Sequence, residues 1–377
     1  MSGSRRAVRR PRERAVRGAS HVGERFEAEV GPVAHGGHCV VRHAGRVVFV
    51  RHALPGERVV VSVTEGRDGD RFWRGDAVSV LSPSADRVPA PCPYAGPGLC
   101  GGCDFQHVSA EGQRALKASV VREQLRRLAG LDLPVEVEEV PPLLRWRTRM
   151  RYVALPGGAR GLHVHRSDEV VEIDDCLIDA GTPREVESVV TSAGRHDFRV
   201  APDGFWQSHV EAPRVLVETV LSVAMPQPGE RVLDLYAGVG LFSAFLADAV
   251  GPTGRVVAVE GSRAACADAR ANLPSWVTVE HGSVDRVLAS SYDEPFDLVV
   301  LDPPREGARR TVVEQVADRA PRAVAYVACD PAALARDLAT FAALGYALRS
   351  LRAFDLFPMT SHVECVALLV KSDSGLR

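Results

Sequence analysis

The sequence predicts an α/β protein: a C-terminal doubly wound, mostly parallel sheet, preceded by a small β-barrel and a central α+β segment carrying clustered cysteines. Three observations predict it. From about Glu230 onward, apolar runs of strand length alternate with helix-length segments, the pattern of a parallel sheet with helices on both faces. Over residues 23–81, short β-branched runs are separated by Gly and Pro turns at the spacing of a small barrel. Between these regions, Cys92, Cys100 and Cys103 fall in a glycine-rich stretch.

Composition narrows the class. A chain of 377 residues suggests roughly two to three domains. With 46% hydrophobic and 25% charged residues it is neither low-complexity, collagen-like nor wholly disordered. There is no apolar run long enough for a membrane span, and arginines stand where a signal peptide would need an apolar core, so a cytoplasmic protein is expected. A net charge of -2 requires any nucleic-acid binding to come from local basic patches. Lys117 and Lys371 are the only lysines, and this arginine skew is explained by codon composition. Eight unevenly spaced cysteines are too few for a disulfide scaffold, which makes the clustered ones metal or catalytic candidates.

Taken in order, residues 1–20 carry seven arginines against Glu13 and read as a disordered basic arm, either solvated or touching RNA phosphates. Residues 21–82 form the expected barrel. Its phrase Ala53-Leu54-Pro55-Gly56-Glu57-Arg58-Val59, with Gly36-Gly37 upstream, is similar to the TRAM domain, a small RNA-binding barrel found beside RNA-modifying enzymes; a purely structural barrel is the alternative. Residues 83–91, with three prolines, read as a linker. A central domain over residues 90–200 follows, with a helix over 109–129 and a strand pair over 145–155 and 161–173. Period-two alternation would put Arg145, Arg147, Arg149 and Arg151 on one strand face and Trp146, Thr148, Met150 and Tyr152 on the other. Four like charges need an anionic partner, either RNA phosphate or acids of the same domain.

The C-terminal domain spans residues 201–377. Strands are expected at 231–236, 255–260, 277–280, 296–301, 323–328, 346–354 and 363–370, and helices at 241–250, 263–273, 310–319 and 332–344. Ligands of such sheets sit beyond the carboxyl ends of the strands. The first strand ends in Tyr236-Ala237-Gly238-Val239-Gly240, a Gly-x-Gly turn that lets a ligand approach the backbone. The third glycine of a dinucleotide fingerprint is missing, because Ser243 occupies that place, which weakens NAD and FAD. Glu260, at the end of the second strand, can accept both ribose hydroxyls. Gly238, Gly240 and Glu260 together fit S-adenosylmethionine, which has a ribose and no phosphate.

Asp302-Pro303-Pro304-Arg305 follows the fourth strand, where two prolines hold Asp302 at the cofactor crevice. The fifth strand delivers Cys329 to the same edge, ahead of Asp330-Pro331 and a helix. Such a cysteine is either a small buried apolar residue or a nucleophile whose thiol pKa the helix N-terminus would lower. Glu364, in an apolar run, either pairs with a base or acts as one.

At this point the chain resembles the RNA uracil-C5 methyltransferase family. The resemblance covers residues 22–371. It is carried by Asp302-Pro303-Pro304-Arg305, by Cys329-Asp330-Pro331-Ala332-Ala333-Leu334-Ala335-Arg336-Asp337-Leu338, and by Phe354-Asp355-Leu356-Phe357-Pro358 followed by His362-Val363-Glu364. The resemblance implies a class I methyltransferase domain in which Cys329 adds to C6 of uridine and Glu364 removes the C5 proton. It assigns S-adenosylmethionine contacts to Gln207, Tyr236, Glu260 and Asp302, and places Phe205 and Arg305 on the substrate side, with Phe205 stacked on the target base. Trp206 is expected in the core. Three departures stand out: Leu241 where relatives carry Asn, Asp330 where Asn is usual, its charge expected to be paired by Arg336, and a slightly wider cysteine spacing.

From spacing alone, Cys92, Cys100, Cys103 and Cys176 could bind structural zinc. The resemblance favours a [4Fe-4S] cluster on these four residues, holding the central domain together. Cys39, Cys266 and Cys365 read as packing residues. The expectation is therefore a three-part enzyme that makes 5-methyluridine in ribosomal or transfer RNA, with no membrane association and no obligate protein partner. The competing readings are an RNA methyltransferase acting on another atom with Cys329 structural, and an RNA-binding protein without turnover.

Overall fold

The structure is a computed structural model and describes residues 18–372. They form two compact units, residues 18–32 with 38–84, and residues 33–37 with 85–372. No helix among the described residues is long and apolar enough to cross a membrane.

The first unit is a five-stranded sheet of β1 (Arg25–Glu29), β2 (Cys39–His43), β3 (Arg46–Arg51), β4 (Arg58–Glu65) and β5 (Phe72–Ser82), in the order β1-β4-β5-β3-β2. In β4 every second residue is buried, so Val59, Val61 and Val63 supply the interior. The edge strands meet: Gly31 N–H donates to Val40 O at 2.8 Å and Val40 N–H to Pro32 O at 2.9 Å, which closes the expected barrel. Glu57 of the quoted phrase is fully buried, its carboxylate accepting the N–H groups of Leu54 (2.8 Å) and Ser84 (3.0 Å). That glutamate is an internal anchor for the turn at Gly56. The expected basic arm lies outside the described residues except for residues 18–20. These join the barrel, since Ser20 bridges Arg67 and Ala19 N–H donates to Asp68.

The second unit is built on an eight-stranded sheet. Its elements are α1 (Ala110–Gln124), β6 (Val137–Glu139), β7 (Val153–Ala154), β8 (Arg160–His163), β9 (Val170–Glu172), β10 (Val186–Thr191), β11 (Gly194–Arg199), α2 (Ala212–Ala224), β12 (Arg231–Leu235), α3 (Leu241–Val250), β13 (Arg255–Glu260), α4 (Arg263–Asn272), β14 (Thr278–His281), α5 (Val284–Ser290), β15 (Leu298–Leu301), α6 (Arg309–Asp318), β16 (Ala323–Ala328), α7 (Pro331–Ala343), β17 (Tyr346–Asp355) and β18 (Glu364–Lys371). The sheet order is β14-β13-β12-β15-β16-β18-β17-β6. The first five strands are parallel, β18 runs antiparallel to β16 and β17, and β6 is parallel to β17.

Strands buried on both faces read as continuous apolar runs, as Leu298-Val299-Val300-Leu301 and Ala323-Val324-Ala325-Tyr326-Val327-Ala328 do. One face packs on α2, α3, α4 and the β10–β11 hairpin, the other on α1, α5, α6 and α7. The chain goes from β12 outward through β13 and β14, then returns to β15 on the other side of β12. The crevice at the carboxyl ends of β12 and β15 is therefore the topological switch point.

Two expectations change. The strand pair over 145–155 and 161–173 reduces to β7–β9, while residues 145–152 cross irregularly, with Arg145 at φ 57° and Arg147 bridging Asp179 and His209. The alternation there reflects one-sided burial without a sheet: Trp146 is fully buried, and Thr148 donates its N–H to Ser208 O and its hydroxyl to Gln207 O. The central stretch, expected as its own domain over 90–200, also shares the large sheet through β6, and α1 packs on α7.

An ion pair joins the central stretch to the end of β17. Lys117, with no exposed side chain, donates to Asp355 at 2.5 Å and to Phe357 O at 3.0 Å. The phrase Phe354-Asp355-Leu356-Phe357-Pro358 is thereby tied to α1, and it leads directly to His362 and Glu364.

Candidate active site

The parallel strands end on a cavity of about 1170 Å³ at the switch point. Its wall includes Phe205, Gln207, Tyr236, Gly238, Glu260, Asp302, Arg305, Cys329 and Glu364, which brings together every expected cofactor, substrate and catalytic residue except Gly240. Gly240 begins α3 at φ 91°, and a Cβ there would fall 2.9 Å from Leu273, so packing accounts for this glycine. Leu241 lines the cavity as an apolar surface.

On the side of β12 and β13, Glu260 sits at a strand end. Its carboxylate accepts Gly238 N–H at 2.9 Å and Ser262 N–H at 2.6 Å, which fixes it on the Gly-x-Gly turn. Tyr236 takes a left-handed φ of 67° where the chain leaves β12, and burial pushes its hydroxyl up to about 12. Beneath the turn, Asp234 is fully buried. One of its oxygens accepts the Ser243 hydroxyl at 2.5 Å, the other has no hydrogen-bond partner, and burial pushes its carboxyl up to about 6. The residue in the third glycine's place thus serves an acid that the sequence reading missed. Ser243 was the available signal.

Across the crevice, Asp302 accepts from the Gln207 side chain at 3.2 Å, an oxygen facing a cavity wall. Burial, with the charges of Asp234 and Glu260 added, pushes Asp302 up to about 7 against the Gln207 hydrogen bond. The loop after it is held from α7: Asp337 accepts Ala308 N–H at 2.8 Å and the Tyr326 hydroxyl at 2.6 Å. Arg305 reaches His362 Nε2 at 3.2 Å. Burial, followed by the Arg305 charge, lowers His362 to about 4, so its neutral ring can accept from the guanidinium. His362 is a second residue whose role the sequence reading missed.

Cys329 stands at the end of β16, and Glu364 opens β18. Burial, then Asp302, raises Glu364 well above the usual carboxylate range. Burial, then Glu364 and Asp302, pushes the Cys329 thiol up to about 12, with Arg305 opposing. This corrects the expected lowering at a helix N-terminus. That end of α7 is already capped by Asp330, whose Oδ1 accepts Ala333 N–H at 2.8 Å, so an anion meets the dipole before the sulfur does. The expected partner of Asp330 is corrected too: His35 Nε2 lies 3.0 Å from its Oδ2, and Arg336 acts only as a more distant charge. Phe205 is 68% exposed, which suits stacking on an incoming group, while Trp206 is buried.

A second cavity of about 780 Å³ is lined by Cys92, Cys100, Cys103 and Cys176, and also by Arg147, Arg149 and Arg151. Gly102 N–H donates to the Cys100 sulfur and the Gln106 amide to the Cys103 sulfur, both at 3.4 Å. Burial pushes Cys103 up to about 12. Among the described residues, no three His, Cys, Asp or Glu side chains converge as a ready metal shell. The four thiols nonetheless share one wall and are of the donor type that iron–sulfur and zinc sites use. The arginines divide. Arg145 pairs with Asp175, whereas Arg149 has a carboxylate, Glu187, only at 3.9 Å and no hydrogen-bond partner for its three guanidinium nitrogens. The walls of both cavities include Pro202, Asp203, Gly204, Phe205, Trp206 and Ser208.

Residues 19–78 match the TRAM domain, residues 205–326 the methyltransferase small domain, and residues 284–372 the family described as tRNA (Uracil-5-)-methyltransferase. An uncharacterized RNA methyltransferase of Streptomyces coelicolor is 44% identical over 98% of this chain and 97% of its own length. One from Bifidobacterium longum is 37% identical over 92% and 96%. Among solved structures, the Pyrococcus abyssi tRNA (uracil-54, C5)-methyltransferase in complex with S-adenosyl-L-homocysteine superposes with a TM-score of 0.66 at 21% identity, covering 91% of this chain and 99% of that one, a likeness of fold.

Proposed function

Since the chain belongs to the uracil-5 family of S-adenosylmethionine-dependent RNA methyltransferases, we propose that it methylates C5 of a uridine in ribosomal or transfer RNA through a covalent adduct with Cys329. The observation that carries this reading is the single cavity that holds Cys329, Glu364, Asp302 and Arg305 on one side and Tyr236, Gly238 and Glu260 on the other.

C5 of uracil is a poor nucleophile, so splitting the reaction through an adduct replaces one hard step by easier ones. The Cys329 thiol gives its proton to solvent, its sulfur bonds to C6, and the displaced C5–C6 electron pair makes C5 nucleophilic. S-adenosylmethionine supplies an electrophilic methyl group and a positive charge. After C5 is methylated, the Glu364 carboxylate takes the C5 proton, and the released pair re-forms the double bond and expels the sulfur. Burial favours the protonated forms of Cys329 and Glu364; a cation among these groups lowers both and favours the forms the reaction needs. Gln207 and Asp302 orient the methyl donor, Glu260 its ribose, and Phe205 stacks on the base that has left its stack. Arg305, held by neutral His362, faces the uracil side.

The cysteine cavity supports a further part of the reading, a [4Fe-4S] cluster held by Cys92, Cys100, Cys103 and Cys176, with Arg149 among the side chains facing it. The cluster would cross-link the glycine-rich loop to the segment at Cys176 and take no part in methyl transfer.

The test is nucleoside mass spectrometry of separated ribosomal and transfer RNA from cells with and without the gene, joined to intact-mass analysis with 5-fluorouridine RNA. Loss of 5-methyluridine from one pool and an adduct absent in Cys329→Ala are expected. Full activity in that variant would overturn the mechanism and favour methylation at another atom.

A further inference from the structure

Beside the active-site cavity, and not among the residues lining it, lies a charged pair that the reaction scheme above does not use. Residues 33–37 belong to the second unit, and His35 of this segment places Nε2 3.0 Å from Oδ2 of Asp330. Asp330 directly follows Cys329 in sequence. A carboxylate one residue from a sulfur that must become anionic opposes its ionisation, and Asp330 adds to the rise of the Cys329 thiol, behind burial, Glu364 and Asp302.

The segment is held where it is. Gly37 N–H donates to Ala34 O at 3.0 Å, and Gly37 lies so close to Ser361 that a Cβ would fall 2.5 Å from the serine Cβ. Ser361 is itself anchored, its N–H and hydroxyl both donating to Asp104, at 3.0 and 2.9 Å. The charges facing the pair are few. Arg336, from α7, disfavours the His35 proton, and Glu123, from α1, favours it more weakly. On the sulfur's side stand Glu364, Asp302 and Arg305. The hydrogen bond to Asp330 raises His35 above its ordinary value, and Asp330 is lowered despite its burial, so both shifts favour the ionic form of the pair.

We infer that His35 is a positioning residue that screens the Asp330 carboxylate and thereby sets the ionisation of Cys329, so that methyl transfer gains a pH dependence from a side chain outside the cavity. The inference rests on Cys329 as the nucleophile. Below its own titration, the imidazolium offsets the carboxylate. As pH rises through it, the offset is lost and the thiol becomes harder to ionise.

The test needs neither RNA nor cofactor. Full-length protein is treated with iodoacetamide from weakly acidic to alkaline pH, and alkylation of Cys329 is followed by peptide mass spectrometry in the wild type, His35→Gln, Asp330→Asn and the double variant. His35 has a 42% exposed side chain, so its replacement leaves the fold intact, and unchanged alkylation of buried Cys266 checks this. At weakly acidic pH His35→Gln is expected to slow Cys329 alkylation about 2-fold, a thiol pKa rise of about 0.3 unit, and Asp330→Asn to speed it. In the Asp330→Asn background the effect of His35→Gln should vanish. The wild-type rate should rise less than tenfold per pH unit while His35 titrates, and His35→Gln should restore the full slope. An unchanged profile in His35→Gln, or equal slowing with and without Asp330, overturns the inference. The 5-fluorouridine adduct with Cys329→Ala tests the nucleophile separately, so the two failures are distinguishable.

Discussion

Burial first, and neighbouring acids after it, hold Asp302 and the underlying Asp234 in the protonated direction, and this has a consequence for stability. Asp302 sits near 7 in the folded protein against an ordinary 3.8, and Asp234 near 6. A carboxyl raised on folding binds more protons in the native state, so its favourable contribution is complete below the unfolded value and is lost as pH rises through the folded one. Ligand-free protein should therefore lose resistance to urea between about pH 4 and pH 7, by roughly 1.4 kcal/mol per pH unit for each group in its window. Asp302→Asn should flatten that fall, and an equal slope in wild type and variant would contradict the assignment. The strand-end residues of this cavity were readable because position on a parallel sheet decides them: Glu260, Asp302 and Cys329 each end or follow an apolar run. Asp234, His35 and His362 were not, since their partners are distant in sequence or buried beneath a turn. Ser243 shows in the sequence only as a missing glycine, because the buried acid it serves lies nine residues earlier.

At the scale of elements, the alternation of β12 to β18 with α3, α4, α6 and α7 was plain because strands buried on both faces and their cover helices have different periods, whereas α5, only seven residues long, was not read. Short β6 and the β10–β11 hairpin were not readable, the first because its partner β17 lies over two hundred residues on. The buried pair of Lys117 and Asp355 fixes α1 to the end of β17. Lys117→Met should destabilise the protein by about 3–5 kcal/mol, because it leaves a buried carboxylate alone. Adding Asp355→Leu should recover much of that loss. Urea denaturation of the two variants decides this: a double variant no more stable than the single one would show that the segment needs the charges themselves.

For the molecule as a whole, a net charge of -2 turns attention to local surfaces. The arginines of the central stretch are the relevant case, and the sequence left their partner open. Arg145 is answered by Asp175, while Arg147, Arg149 and Arg151 face the cavity of the four thiols. Cys176, over seventy residues beyond Cys103, reaches that wall only because of the tertiary fold. If the four thiols hold a cluster, anaerobically purified protein will be brown and contain iron and sulfide in equal amounts. Cys103→Ser and Cys176→Ser should each lose nearly all of the iron rather than a quarter of it. Colourless protein containing zinc would overturn the assignment.

The interior position of Lys117 also bears on how the protein can be handled. It is one of two lysines, and the other, Lys371, lies exposed at the end of β18. Of the two lysines, an amine-selective ester applied to the native enzyme should therefore acylate Lys371 and spare Lys117, so that labelling of lysine is confined to one site. Peptide mapping after labelling would show it, and Lys117 should become reactive only once urea has opened the chain.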